Sequence, residues 1–373
     1  MSKDPTPQPH TMRAWTFSCR GLPKDVLKLD YTHPVPPPPT KGDLLIRVSY
    51  VGLNPGCVIN MSFIPPFLRR FLSGNPTAIP EGEFAGVVHL AGPSAPPNFS
   101  PGTRVFGNIP MMRLIAGLGT LAEYIIMPSS GVAVVPASMS LVEASGLSGA
   151  GQTAMDMFLP IRVKEGHRVL VNGSSGGVGI MAVQIAKAKG AYVVATCSEA
   201  SFELVKSLGV DEVRIGYLSC FRIKKDRVLQ VVDYRANVPL HAHLADKYGG
   251  KNSFDFILDT IGTQDLFTYS PSYLKPEGQL INVGNFEGPV ITVWRSITNR
   301  LTPVIFGGVP RDYLMISVAP TEEKAANLAR MVEEGTLKVI VDDVVEFEDV
   351  VQAYHRLMRR DAKGKIIAKV HTD

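Results

Sequence analysis

An apolar segment, a glycine-rich turn and a helical pattern follow one another between residues 167 and 190. Residues 167–171 have the composition of a buried parallel strand. The turn at 172–179 follows, and residues 180–190 have helical spacing that ends at a glycine. Glycines let backbone N–H groups approach phosphates, and a helix N-terminus adds unpaired donors and positive dipole, so this order predicts a dinucleotide pyrophosphate site. A second strand pattern at 191–196 favours that interpretation over a simple chain reversal. The residues predicted to contact the cofactor here are Ser174, Ser175, Gly176, Gly177, Val178 and Gly179.

Composition is that of a globular protein large enough for two domains: 373 residues, 45% hydrophobic and 19% charged. The four cysteines share no C-x-x-C spacing, which is typical of a reducing compartment rather than of disulfides or structural zinc. The N-terminus has no apolar signal core, and no apolar run has the length of a membrane span. We therefore expect a cytoplasmic protein with no membrane span.

The net charge of +4 has a local origin. Residues 213–230 contain five basic residues and one acidic residue, and the rest of the chain is neutral. The charge therefore gives no support to nucleic-acid binding.

Pattern changes along the chain indicate two kinds of domain. The first third is rich in short strand patterns, such as 44–51, 86–90 and 104–107, separated by proline and glycine. From about Ser138 helical patterns alternate with strands such as 254–259 and 279–284, which is typical of a parallel α/β sheet.

Several short motifs together resemble one family. They are Gly52-Leu53-Asn54-Pro55, Glu83-Phe84-Ala85-Gly86-Val87-Val88, Pro101-Gly102-Thr103-Arg104-Val105-Phe106-Gly107, Gly151-Gln152-Thr153-Ala154 and Asp259-Thr260-Ile261-Gly262. In order and spacing they resemble the zinc-free quinone oxidoreductase-like branch of the medium-chain dehydrogenase/reductase superfamily. The resemblance implies an α/β protein with a GroES-like, β-rich substrate domain at 1–138, completed by 319–373. It also implies a Rossmann domain at 139–318, a doubly wound parallel sheet that binds NADP, with the active site in a cleft between the domains.

Zinc ligands are missing from the positions where the resemblance implies them. Zinc-dependent relatives have Cys where this chain has Asn54, and His where it has Gly82. No cysteine lies between Cys57 and Cys197, where those relatives have a structural zinc loop. Zinc needs three or four ligands, so we predict no metal site and interpret Cys57 as a small buried residue.

The end of the second Rossmann strand decides between NADPH and NADH. NAD enzymes present an acidic residue there to the ribose 2′-hydroxyl, whereas this chain has Ser198 and Ser201, whose hydroxyls can donate to a 2′-phosphate. Glu199 is acidic, and the Lys that NADPH-dependent relatives often have near Ser201 is missing. The resemblance also implies a Tyr after the next strand, for which Tyr234 is the candidate. We favour NADPH over NADH.

Residues 213–230 interrupt a family pattern. Their removal joins Glu212 to Val231 and restores the run Gly-Val-Asp-Glu-Val-Val-Asp-Tyr that ends at Tyr234. These residues are either a retained intron or recent insertion, or a surface loop, since longer loops cost little entropy. An abundant transcript that encodes all of them in active protein would contradict the intron.

The resemblance implies hydride transfer to a quinone or an α,β-unsaturated carbonyl. Val283, Gly284 and Asn285 are then expected beside the nicotinamide, although Asn285 could simply form a turn. Asn54 is the one catalytic candidate, as a donor to a substrate oxygen, with a purely structural role before Pro55 as the alternative. Ile59 replaces a Tyr of several relatives, which leaves water as the expected proton source.

The expected substrate is small, apolar and electrophilic, and a homodimer is compatible with this class. Residues 61–72 are interpreted as a helical lid over the cleft, with a membrane-surface helix as the alternative. Lys365 matches a family Gly-Lys signature, with a solvated lysine as its alternative. Two other functions stay open: a trans-acting enoyl reductase of thioester substrates, and an NADPH-binding protein with a non-catalytic role.

Overall fold

The computed structural model describes residues 9–215, 220–224, 227–232, 239–250, 253–284 and 287–371. It separates into two compact units. One comprises Met1–Gln152, Val318–Leu357 and Lys365–Asp373, and the other Thr153–Ser317 and Met358–Gly364. The first unit therefore extends past the boundary predicted at residue 138.

In the described residues before the glycine turn there are seven strands and six α-helices. The strands are β1 (Thr11–Thr16), β2 (Lys28–Pro34), β3 (Asp43–Gly52), β4 (Glu83–Ala91), β5 (Arg104–Asn108), β6 (Tyr124–Pro128) and β7 (Val132–Val134). The helices are α1 (Pro23–Val26), α2 (Pro55–Phe63), α3 (Pro66–Ser73), α4 (Met111–Ile115), α5 (Leu141–Ser145) and α6 (Ser148–Met157).

The described residues in the middle of the chain form eight further strands and five further α-helices. The strands are β8 (Arg168–Asn172), β9 (Tyr192–Cys197), β10 (Glu212–Ile215), β11 (Cys220–Lys224), β12 (Arg227–Val232), β13 (Phe254–Asp259), β14 (Leu274–Asn282) and β15 (Asp312–Met315). The helices are α7 (Gly177–Ala188), α8 (Phe202–Ser207), α9 (Leu240–Tyr248), α10 (Gln264–Thr268) and α11 (Pro289–Leu301). The chain ends with α12 (Glu322–Glu333), β16 (Val341–Glu346), α13 (Val350–Arg359) and β17 (Lys365–Lys369).

The first unit is built on a mostly antiparallel sheet. Its strands run in the order β16-β17-β3-β4-β5-β7, and β6 also pairs with β3. The late strand β17 enters this sheet beside β3, antiparallel, with Ile367 opposite Gly52. Apolar residues of β3, β4 and β5 are fully buried, among them Leu45, Phe84 and Phe106. This arrangement is the GroES-like domain that the resemblance implied.

The second unit contains a parallel six-stranded sheet in the order β10-β9-β8-β13-β14-β15. The order reverses direction between β8 and β13. In open α/β sheets such a switch point marks where ligands bind, at the carboxyl ends of the strands. Leu170, Val194, Ile257 and Leu280, one from each of four neighbouring strands, form the core beneath that edge. The predicted Rossmann sheet is confirmed.

The segment predicted as an insertion has two parts in the structure. Its first residues, Val213 to Ile215, belong to β10 and pair in parallel with β9. Its later residues contribute to an antiparallel pair of strands, β11 and β12. Whether 213–230 is inserted relative to an ancestral chain stays a prediction.

Candidate active site

The glycine turn between β8 and α7 has the shape that a phosphate cradle needs. Gly173 has a positive φ of 80°, and a Cβ there would clash with Thr260 and Ile261. A Cβ on Gly179 would overlap the carbonyl oxygen of Gly173. Helix α7 begins after Gly176, which supplies no capping side chain, so the first-turn N–H groups have no side-chain acceptor. These residues fit a dinucleotide pyrophosphate at the helix N-terminus.

The two serines of the turn differ in their surroundings. Ser174 is fully buried, and both its backbone N–H and its hydroxyl donate to the carbonyl of Thr196, at 2.9 and 2.7 Å. The Ser174 hydroxyl therefore ties the turn to β9. The carbonyl of Ser175 accepts a hydrogen bond from Gly364 at 3.0 Å.

The residues predicted to face a 2′-phosphate follow β9 directly. Ser198 donates to the hydroxyl of Ser201 at 3.2 Å, and Ser201 is buried. Cys197, before them, is buried too, and burial raises the pKa of its thiol to about 11. Tyr234 lies outside the described residues.

Strand β14 ends at Asn282, directly before the residues predicted to lie beside the nicotinamide. Gly284 adopts a φ of 116° and donates its N–H to Asn282 Oδ1 at 2.6 Å, while Val283 donates its N–H to the carbonyl of Asp259 at 3.3 Å. Asn285 lies outside the described residues.

In the other unit, Asn54 belongs to a buried polar cluster. Its Oδ1 accepts from Lys365 Nζ at 2.7 Å, and its Nδ2 lies 2.9 Å from the carbonyl of Gly52 and 3.3 Å from carboxylate oxygens of Glu81 and Glu83. Both amide hydrogens thus have acceptors inside the protein. The predicted role of Asn54 as a donor to substrate would require one of them to be released.

Lys365 is the cation of this cluster. Its ammonium group is 2.8 Å from Glu83 Oε2 and 3.2 Å from the carbonyl of Leu53, and both side chains of the ion pair are almost fully buried. Glu83 Oε1 also accepts from the N–H of Gly149 at 2.7 Å. The alternative of a solvated Lys365 is therefore wrong.

Glu81 is a fully buried member of the cluster and has an unusual backbone conformation. Its φ is +68°, a left-handed conformation that costs a residue with a Cβ energy. Its carboxyl group accepts from the Tyr354 hydroxyl at 2.6 Å and from the Asn54 N–H at 3.2 Å. Burial raises the pKa of Glu81, and it raises the pKa values of Tyr354 and Cys57 well above their ordinary range.

This cluster does not fit zinc. The carboxylate of Glu83 is already paired with the Lys365 ammonium group, and the amide oxygen of Asn54 accepts a hydrogen bond from the same ammonium group. Within the described part of the chain, no three His, Cys, Asp or Glu side chains are grouped so that they could hold a metal ion.

Some of these functional residues were not found by sequence reasoning. Glu81 and Gly82 directly precede the motif that starts at Glu83, and two carboxylates so close together were a signal of a polar cluster. Asp259 and Asn282 end apolar strands, and a polar residue at the carboxyl end of a parallel strand was the signal there.

The predicted lid segment contains the end of α2 and nearly all of α3, which are separated by Ile64 and Pro65. On α3, Phe67 and Phe71 are 75% and 84% exposed, whereas Arg69 is buried over the ring of Phe17. The role of this segment as a lid stays a prediction. No helix in the described residues combines the length and the apolar character needed to cross a membrane.

Fold and site together define a two-unit oxidoreductase scaffold with a Rossmann sheet, and comparison with known proteins agrees. The alcohol dehydrogenase GroES-like domain family matches residues 40–137, and the zinc-binding dehydrogenase family matches residues 228–367. The chain belongs to the medium-chain dehydrogenase/reductase superfamily and is an oxidoreductase of its quinone oxidoreductase-like and enoyl reductase-like branch.

Three relatives illustrate this membership. The chain is 34% identical to the medium chain reductase pydE of an Acremonium species, over 97% of this chain and 99% of that protein. It is 33% identical to the trans-enoyl reductase poxH of Penicillium oxalicum, with the same two shares covered. Among solved structures, the quinone oxidoreductase of Coxiella burnetii superposes with a TM-score of 0.77 at 26% identity, over 96% of this chain and 99% of that one.

Proposed function

We propose that this protein is an NADPH-dependent, zinc-free reductase of α,β-unsaturated carbonyl compounds, and that enoyl thioesters presented in trans are its favoured substrates. The observation that carries the proposal is the pair of sites on the two units. One unit has an uncapped glycine turn suited to a dinucleotide, and the other has a lysine–carboxylate–amide cluster that includes Asn54. The trans-enoyl reductase relative, similar over nearly its whole length, supports the choice of substrate.

The residues proposed to hold the cofactor lie along the carboxyl edge of the parallel sheet. The N–H groups at the start of α7 would bind the pyrophosphate, and Ser198 and Ser201 would bind the 2′-phosphate. Gly284 would lie beside the nicotinamide, together with Val283 and Asn285. When bound, NADPH supplies the hydride.

The chemistry of the acceptor follows from the residues present. Because the cluster around Asn54 does not fit a zinc ion, the protein offers hydrogen-bond donors rather than a metal to a developing oxyanion. A conjugated carbonyl suits such a site, since its negative charge is delocalised after hydride addition at the β-carbon. Asn54 stays the proposed donor, and water the proposed proton source, because Glu81, Tyr354 and Cys57 are buried.

A quinone is the second candidate substrate. It accepts hydride without a metal for the same electronic reason, and the similarity to the Coxiella quinone oxidoreductase favours it. The third candidate is cofactor binding without turnover.

A homodimer is part of the proposal. Strand β15 ends the six-stranded sheet, and a free sheet edge is a surface that proteins usually cover. Helix α11 packs beside it and exposes an apolar stripe at spacings of three and four residues: Val290, Val293, Trp294, Ile297 and Leu301. A second copy of the chain would cover both the edge of β15 and the apolar stripe of α11.

Light scattering after size exclusion should give twice the chain mass, and Trp294→Glu should give the monomer. A monomeric wild type would contradict this arrangement.

The test of function is a turnover panel followed at 340 nm. The purified protein is given NADPH with a crotonyl thioester, a simple enal, a benzoquinone or a saturated ketone. Rapid oxidation of NADPH by the thioester, with the ketone inert, is expected. A preference for the quinone would select the second candidate. Tight NADPH binding with no turnover of any compound would select the non-catalytic role.

The proposed cytoplasmic location has its own test. A fluorescent fusion that is excluded from the cytoplasm would contradict it.

A further inference from the structure

At or next to the carboxyl ends of four neighbouring strands of the parallel sheet, four polar residues lie in one row. Thr196 of β9 is opposite Asn172 of β8, Asn172 is opposite Asp259 of β13, and Asp259 is opposite Asn282 of β14. All four are buried, with 1–3% of their surface exposed. Buried polar side chains at the ends of four adjacent strands are costly unless they bond one another.

The four side chains do bond one another, and the donors point towards Asp259 from both sides. Thr196 Oγ1 donates to Asn172 Oδ1 at 2.7 Å, Asn172 Nδ2 donates to Asp259 Oδ1 at 2.8 Å, and Asn282 Nδ2 lies 3.4 Å from Asp259 Oδ2. An ionised carboxylate only accepts, so both asparagine amides must turn their N–H groups towards Asp259. Burial raises the pKa of Asp259, and the N–H donors around it oppose that shift.

Three members of this row also accept hydrogen bonds from loops that leave the sheet. Thr196 Oγ1 accepts from the N–H of Gly173, at the start of the glycine turn, at 3.1 Å. Asp259 Oδ1 accepts from the N–H groups of Ile261 and Gly262 at 3.0 and 3.1 Å. Asn282 Oδ1 accepts from Gly284 at 2.6 Å.

We infer that this polar row is a positioning device for the cofactor, and that Asp259 is its central positioning residue. Since Asp259 fixes which way the Asn282 amide faces, it fixes the N–H of Gly284 at one end of the row. At the other end, Thr196 holds the glycine turn. The inference rests on the proposed function, in which the turn binds pyrophosphate and Gly284 lies beside the nicotinamide.

For Asp259→Asn, the arrangement of the row predicts different effects at its two ends. The new amide can keep an oxygen towards Asn172, Ile261 and Gly262, which places its NH₂ group against the NH₂ group of Asn282. Turning the Asn282 amide over would only move the conflict to the N–H of Gly284. The variant should therefore disturb the position of Gly284 and spare the glycine turn.

Exchanging the two residues restores the donor–acceptor pair between their side chains and keeps the acceptor for Gly284, and it gives up only the long contact of 3.5 Å from Asn282 Nδ2 to the carbonyl of residue 259. In Asp259→Asn with Asn282→Asp, the amide at 259 donates to a carboxylate at 282, which still accepts from Gly284. Rescue by this double variant is a result that general destabilisation would not give.

The experiment is a calorimetric titration with NADPH and with adenosine 2′,5′-bisphosphate, which lacks the nicotinamide. For Asp259→Asn we expect NADPH affinity to fall about tenfold, as expected for loss of a hydrogen bond to a charged group, with bisphosphate affinity nearly unchanged. The exchanged double variant should regain most of the NADPH affinity. Asp255→Asn is the matched control: it is on the same strand, β13, and its carboxylate accepts from the N–H of Arg168 at 2.8 Å. It should bind both ligands like the wild type.

Equal losses for the two ligands, an unchanged NADPH affinity, or failure of the double variant to recover would overturn the inference. If Asp259→Asn does not fold, Asn282→Ala removes the same end of the row and should show the same split. A wild type that binds NADH instead contradicts only the proposed cofactor, and the comparison is then made with NADH and ADP. A wild type that binds neither dinucleotide overturns both.

Discussion

At the scale of single residues, a lysine that the sequence allows to be solvated is the centre of a buried ion pair. Lys365 follows Gly364 in a motif that could equally describe a surface lysine. The structure places its ammonium group between Glu83, Asn54 and the carbonyl of Leu53. These partners come from the other end of the chain, so no local pattern could have found them.

We predict that Lys365→Met is strongly destabilising. It leaves the Glu83 carboxylate buried without a counter-charge, which costs about 3–5 kcal/mol in free energy of unfolding. Urea unfolding measures this loss. The double variant Lys365→Met with Glu83→Gln removes both charges and keeps an acceptor for Gly149, so it should recover much of the stability. A double variant as unstable as the single one would show that charge is not the cause.

Glu81 predicts a pH dependence. Burial raises its pKa above the ordinary 4.5, so its contribution to stability is complete below that pH and declines as the pH rises through the raised value. Glu81→Gln keeps an oxygen for Tyr354 but does not titrate. Its stability relative to the wild type should therefore increase from pH 5 to pH 8 in urea unfolding. A difference between the two proteins that is constant with pH would contradict this.

At the scale of elements, the strand–turn–helix around the glycine turn was the part most fully predicted. Strand β8 and helix α7 begin and end within a few residues of their predicted bounds, because apolar periodicity and glycine are local signals. The hydrogen bonds that hold the turn to β9 and β13 were not predictable, since they depend on strand order.

We predict that Gly179→Ala disrupts this turn. Its Cβ would overlap the carbonyl oxygen of Gly173, and overpacking of this kind costs about 1–3 kcal/mol. Dinucleotide affinity should fall with it. Gly176→Ala is the matched control for folding: its Cβ would lie 3.6 Å from the same oxygen, so stability should be unchanged or rise by up to about 1 kcal/mol. Thermal unfolding compares the two, and equal behaviour would contradict the packing argument.

At the sheet edge formed by β10, the sequence pattern cannot predict which residues after Glu212 form the strand. Glu212 can be followed by Val213 and Arg214, as in the chain, or by Val231 and Val232 after removal of 213–230. Either sequence can form a strand, because valine favours strands and follows Glu212 in both. The structure pairs Val213 to Ile215 with β9 and places Val231 and Val232 in β12.

At the scale of the whole molecule, cofactor choice should appear as linked stability. A ligand that binds only the folded protein stabilises it by about 2.7 kcal/mol at a hundred times its Kd. We predict that NADPH raises the melting temperature more than NADH does at equal concentration, because only NADPH can use Ser198 and Ser201 through a 2′-phosphate. Differential scanning fluorimetry tests this. An equal or larger shift with NADH would contradict the preference.

The sequence by itself determined the class of this protein: the α/β fold, the glycine turn, the order of its strands along the chain and its family motifs. These follow from local periodicity, from glycine conformations and from short segments. Only the tertiary structure decided how polar residues are paired. The Lys365–Glu83 ion pair joins residues that are 282 positions apart in the chain, and the row from Thr196 to Asn282 exists only because four strands lie in register. Burial of charge and direction of hydrogen bonds are properties of neighbours in space, and the chain order does not contain them.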